Sequence, residues 1–118
     1  MPRIAQRDAS QYLARLADFQ GNGSLRGQMD AWRPAYVVWS YATPILAIDT
    51  DARRIIHNTR RYSVTTSKQQ SYLTNGTAAL LADGYTLQQV HGEGELWDTL
   101  NNREKSSNLD HPTTEKER

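Results

Sequence analysis

Thr65, Thr66, Ser67 and Lys68 bring three hydroxyls and an ammonium into four consecutive positions. At the start of a helix such a set holds an oxyanion, because the first backbone N–H groups lack intrahelical partners and the helix dipole is positive there. Arg60 and Arg61 stand just upstream, and Arg53 and Arg54 precede them on a predicted strand. Guanidinium groups neutralise phosphates, and Trp39, Tyr41 or Tyr62 on an open sheet face would stack on bases. Nucleic acid is the partner that this constellation suits. A plainer reading uses the same residues: the hydroxyls cap a helix, the arginines line a solvated strand edge and the aromatics fill the core. No Gly-x-x-x-x-Gly precedes Lys68, so the segment is not a Walker loop. Neighbouring arginines on a strand point to opposite faces, so only one of each pair need face a ligand.

Other chemistries find less support. His57, His91 and His111 are far apart and lack the paired spacing of metal ligands. Asp49-Thr50-Asp51 lacks the glycine and the distal glutamate of a calcium loop, and reads as a turn. No Gly-x-Ser-x-Gly elbow is present, and without cysteine there is no thiol nucleophile, thiolate metal site or disulfide. The expectation is a protein that is not an enzyme, with no catalytic residue, cofactor or metal. A second class of function rests on apolar contact. Leu96, Trp97 and Leu100 among Glu93, Glu95 and Asp98 form a short acidic amphipathic segment, which docks in a partner's groove or packs on its own domain. Trp39, Tyr41 and Trp97 would then be interface residues of a protein-interaction module, binding a host factor or a second copy.

The formal net charge of the 118-residue chain, +1, conceals a separation. From Arg53 to Lys68 there are five basic residues and no acid, whereas from Gln69 onward eight acids face four basic residues. The basic middle would attract an anionic partner, or the acidic end would fold back and shield it. The longest apolar stretch, Ala35 to Ile48, is too short to span a bilayer, and the amino terminus lacks the apolar run of a signal peptide. An intracellular protein is the expectation, and the two sequons at Asn22 and Asn75 read as turn or packing residues.

These residues need elements to position them. Asp8 to Gln11 has the spacing of a capping box, and Tyr12, Leu13, Leu16 and Phe19 recur with helical period, predicting a helix over about 9–20. Gly21, Gly23 and Gly27 predict a loop, tethered by Leu25 and Met29. Tyr36 to Tyr41 is the clearest strand, with large groups on both faces. Ile45 to Asp49 and Arg54 to Asn58 follow across a bend at Pro44 and a turn at residues 49–52. A second helix begins at Thr66 or Ser67 and stops at Asp83-Gly84, with Gly76 inside it. Tyr85 to Val90 predicts a short strand at a sheet edge, and Glu95 to Leu100 a brief helix. The fold class is α+β: a three-stranded antiparallel meander, with a fourth short strand added, and two helices on one face in α-β-β-β-α order. Residues 1–7 are expected to be a flexible terminus, 8–102 a single domain and 103–118 a disordered polar tail, because the tail offers too little apolar surface to offset ordering entropy.

Three separated stretches, Phe19 to Ser24, Tyr36 to Ile45 and Tyr62 to Gln70, resemble in order an uncharacterised family of small proteins encoded by actinobacterial phages and plasmids. The resemblance runs from about Tyr12 to Leu81. It departs at Gln69, where a histidine is common in the family, and at Gly23, which lengthens the usual Gly-Asn-Ser. It implies a genetic context and no activity. The expected function is that of a non-enzymatic phage-type accessory protein in the host cytoplasm. It would bind nucleic acid through Arg53, Arg54, Arg60, Arg61 and Thr65, Thr66, Ser67 and Lys68, with the interaction module as the alternative.

Overall fold

The computed structural model describes residues 3–21, 24–30, 34–60 and 69–101. Seven strands, laid side by side in chain order, form one mixed sheet: β1 (Arg3–Ile4), β2 (Phe19–Gly21), β3 (Leu25–Met29), β4 (Ala35–Ser40), β5 (Thr43–Asp49), β6 (Arg54–Asn58) and β7 (Thr86–Val90). Neighbours from β2 to β6 run antiparallel, while the outermost pairs, β1 with β2 and β6 with β7, are parallel. Among the described residues, helices α1 (Ala9–Ala14), α2 (Thr74–Ala82) and α3 (Glu93–Asn101) pack on it.

The expected three-stranded meander with two helices on one face is therefore corrected to a seven-stranded sheet with helices on both faces. Alternation along β4 explains the two cores. Tyr36 and Val38 point toward α1 and α2, joining Leu13, Phe19, Leu25, Leu46, Ile48, Ile55 and Leu80. Ala35 and Val37 point the other way, toward Leu96 and Leu100 of α3, with Ala47, Ile56 and Val90. A central strand buried on both faces reads as a continuous apolar run, which is what residues 35–39 are.

The missed strands β2 and β3 follow from how glycine is used here. Gly21 and Gly27 lie inside strands rather than in a loop. A methyl group on Gly27 would overlap the Tyr36 hydroxyl and the Phe19 ring, so the glycine makes room for both. Leu25 anchors β3 in the core, while Met29 is exposed. Helix α1 is shorter than its periodicity predicts: the chain reverses at Leu16, whose φ is +54°, and Phe19 enters the sheet. Asp8 stands at its N-cap but makes no side-chain capping bond. Arg3 and Ile4, expected to precede the domain, pair with Gln20 and Gly21.

Pro44 lies within β5 instead of bending the chain ahead of it. Val38 pairs with Leu46 and Trp39 with Pro44, so Ile45 is an extra residue that bulges and joins Leu46 in the α1/α2 core. The carbonyl of Pro44 accepts a bond from Asn58 Nδ2 at 3.0 Å. Gly76 allows close approach of helix to helix, with Ser10 and Leu13 of α1 against it, and not of helix to strand. The predicted start of the second helix at Thr66 or Ser67, the expected tail at 103–118 and Tyr62 lie outside the described residues.

Candidate functional site

The arginines expected to share one ligand are distributed along β6. Arg54 is turned inward: its Nη2 donates to Asp49 Oδ2 at 3.1 Å and to the carbonyls of Thr99 at 3.0 Å and Leu100 at 3.3 Å. Both partners of this ion pair are almost fully buried. Arg54 therefore caps the end of α3 and does not meet a ligand in solvent. Arg53, at φ +56°, lies 4.8 Å over the Tyr85 ring and donates to the carbonyl of Asp83, holding the α2–β7 turn. Arg60 stands at the other end of β6, beside Gly92. Five strand residues separate Arg53 from the Thr59–Arg60 segment, which places the two about 15 Å or more apart. The three described arginines thus do not converge. Arg61, Thr65, Thr66, Ser67 and Lys68 lie outside the described residues.

The aromatic residues fare differently. Trp39 and Trp97 are brought together across the sheet–α3 interface, with ring centroids 5.7 Å apart, and the Arg26 guanidinium lies 4.9 Å over the Trp39 ring. Both indoles are half-buried, and Trp97 Nε1 donates to Glu93 Oε2 at 3.3 Å. Trp97 thus packs on its own domain, which is the plainer of the two expectations for that segment. Tyr41 stands apart at the β4–β5 turn, at φ +57° and 66% exposed. Arg26 is a partner that the sequence reading did not single out.

Buried polar groups fix the frame around these residues. Gln69 is fully buried: it accepts from the Ser40 hydroxyl and donates to Ser24 Oγ at 2.8 Å and Gln6 Oε1 at 3.2 Å. Asn58 accepts from the backbone N–H groups of Arg60 and Gly92 at 3.1 and 2.9 Å, joining β6 to the turn before α3. Burial, aided by the Asp18 carboxylate, drives the Tyr36 phenol far above its ordinary range, and its hydroxyl donates to the Ala17 carbonyl at 2.8 Å.

An apolar groove of about 270 Å³ opens between α2 and the outer strands of the sheet. Leu46, His57 and Leu87 line it from three successive strands, and Thr74, Thr77, Ala78 and Leu81 line it from α2. Burial pushes the His57 imidazole below its ordinary value, so the ring is neutral at neutral pH. Leu81 and Leu87, 39% and 41% exposed, form the lip on the β7 side. The groove therefore runs to the sheet's edge. Strand β7 carries no charged residue and no proline, two of the devices that blunt an edge. The opposite edge, β1, has two residues and an exposed arginine. The sequence signal for this site was present in Thr86 to Val90, an uncharged edge strand. What the sequence did not carry was the placement of Leu81 beside it.

Among the described residues, no three His, Asp or Glu side chains converge as a metal site requires, and no helix is long and apolar enough to cross a membrane. No known protein family, curated protein or solved structure matches the chain.

Proposed function

We propose that the protein is a non-enzymatic interaction module of the cytoplasm, and that its contact surface is the β7 edge together with the groove beneath α2. The observation that carries this reading is the pairing of an uncharged, proline-free outermost strand with two exposed leucines, Leu81 and Leu87, at the lip of an apolar groove. An edge strand offers a row of backbone donors and acceptors, and an adjoining groove takes alternate side chains of whatever pairs with it. The arginine placement supports this reading over nucleic-acid binding, since Arg54 is internally paired and Arg53 is held by Asp83 and Tyr85.

A photo-crosslinking residue placed at Leu87 in expressing cells tests the reading. The expected product is a covalent adduct to protein, formed equally at high salt, because apolar contact is not screened. An adduct to nucleic acid whose yield falls steeply with salt would replace this reading with phosphate binding. Absence of any adduct would sink it.

A further inference from the structure

The geometry points to a second copy of this chain as the occupant of the β7 edge, joined antiparallel across a two-fold axis perpendicular to the sheet. This inference rests on the reading of β7 as a contact surface and adds the partner and the register.

The composition of β7 favours its own copy. Thr86-Leu87-Gln88-Gln89-Val90 is uncharged, so two copies meet without like-charge repulsion, and the chain's net charge of +1 adds little. A two-fold centred on Gln88 pairs Thr86 with Val90, Leu87 with Gln89 and Gln88 with itself. Side-chain amides at the centre then donate to and accept from each other, which an isologous contact requires. Val90 packs in the α3 core, so alternation places Leu87 and Gln89 on the α1/α2 side. An axis perpendicular to the sheet keeps that side common to both copies. It brings both Leu87 side chains, and the two groove lips with Leu81, to one side of a continuous sheet. The exposed leucines of the two copies lie along one seam, while β1, two residues long and bearing Arg3, ends the joined sheet at both extremes.

Sedimentation of the full chain over a wide concentration range tests the proposal, with circular dichroism to verify folding. The wild type should reach twice its 13.4 kDa mass at high concentration. Leu87→Lys with Gln89→Lys sets cation against cation at two symmetric positions of the proposed register, and the dissociation constant should rise about tenfold or more. Leu87→Lys with Gln89→Glu sets opposite charges at the same positions and should restore the dimer. Both positions are exposed, so a folded monomer is expected from the first variant. A wild type of 13.4 kDa at every concentration overturns the proposal, as does a dimer indifferent to the paired lysines or a charge-swapped variant that fails to recover. A monomer that still gives a Leu87 adduct to a different protein refutes the second copy and leaves the interaction module standing. A monomer with no adduct refutes both.

Discussion

Replacing Arg54 with alanine tests whether a buried ion pair ties α3 to the sheet. The guanidinium holds three acceptors on two elements: the Asp49 carboxylate and the carbonyls of Thr99 and Leu100. Loss of Arg54 takes the guanidinium away from the buried Asp49 carboxylate, whose Oδ1 also accepts from the Ala52 N–H at 3.0 Å. Removing one member of a buried pair costs about 3–5 kcal/mol, because the remaining charge is desolvated and uncompensated. A domain of this size has about 5–15 kcal/mol of total stability, so Arg54→Ala should approach global unfolding. At about 4–8 °C per kcal/mol, the melting temperature should fall by roughly 12 °C or more. Removing both charges with Arg54→Met and Asp49→Leu leaves neither charge of the pair behind, and the double variant should be more stable than Arg54→Ala. Urea unfolding followed by tryptophan fluorescence reads both, since Trp39 and Trp97 straddle the α3 interface. If Arg54→Ala loses less than about 1 kcal/mol, the charge is solvated in solution and the internal pairing is not what holds α3.

Other outcomes follow from burial and space. His57 has a folded-state pKa below its unfolded value, so below about pH 6.5 the unfolded chain binds a proton that the folded chain refuses. Stability should fall as pH drops from 7 toward 5, and His57→Gln should flatten that slope in urea titrations at each pH; an unchanged slope would show that His57 does not set it. Gly27→Ala should lose about 1–3 kcal/mol because the new methyl meets Tyr36 and Phe19, whereas Gly94→Ala, with open space around it, should gain about 0.5 kcal/mol of helix stability. Tyr36→Phe leaves the Ala17 carbonyl unpaired and should cost about 1–2 kcal/mol, and ultraviolet titration should show Tyr36 still protonated when exposed tyrosines have ionised.

The strands over residues 35–58 were legible because β-branched and aromatic residues run together there and the turn at 49–52 is polar. Strand β7 and helix α3 were also legible, at close to their final bounds. Strands β2 and β3 were not, since Gly21 and Gly27 carry the signature of a loop, and only the Tyr36 and Phe19 side chains packed against Gly27 explain why glycine stands there. Pro44 argued for a bend, yet a one-residue bulge admits it to β5 with its carbonyl bonded to Asn58. For the candidate site, the arginines were visible as a run of charge, but charge in sequence does not say which guanidinium faces a buried carboxylate.

The sequence by itself determined local matters: that residues 35–58 and 86–90 supply strands, that residues 93–101 supply a helix, and that residues 86–90 carry no charge. Side-chain period and turn chemistry act over a few residues, and that is the range at which sequence is read directly. Tertiary structure alone decided that Arg54 pairs with Asp49 beneath α3, and that Leu81 of one helix stands beside Leu87 of the outermost strand. Those contacts join residues whose only common property is where the sheet's order and the helix packing put them. No local preference encodes that order, because it is set by how the whole apolar surface of the chain is removed from water at once.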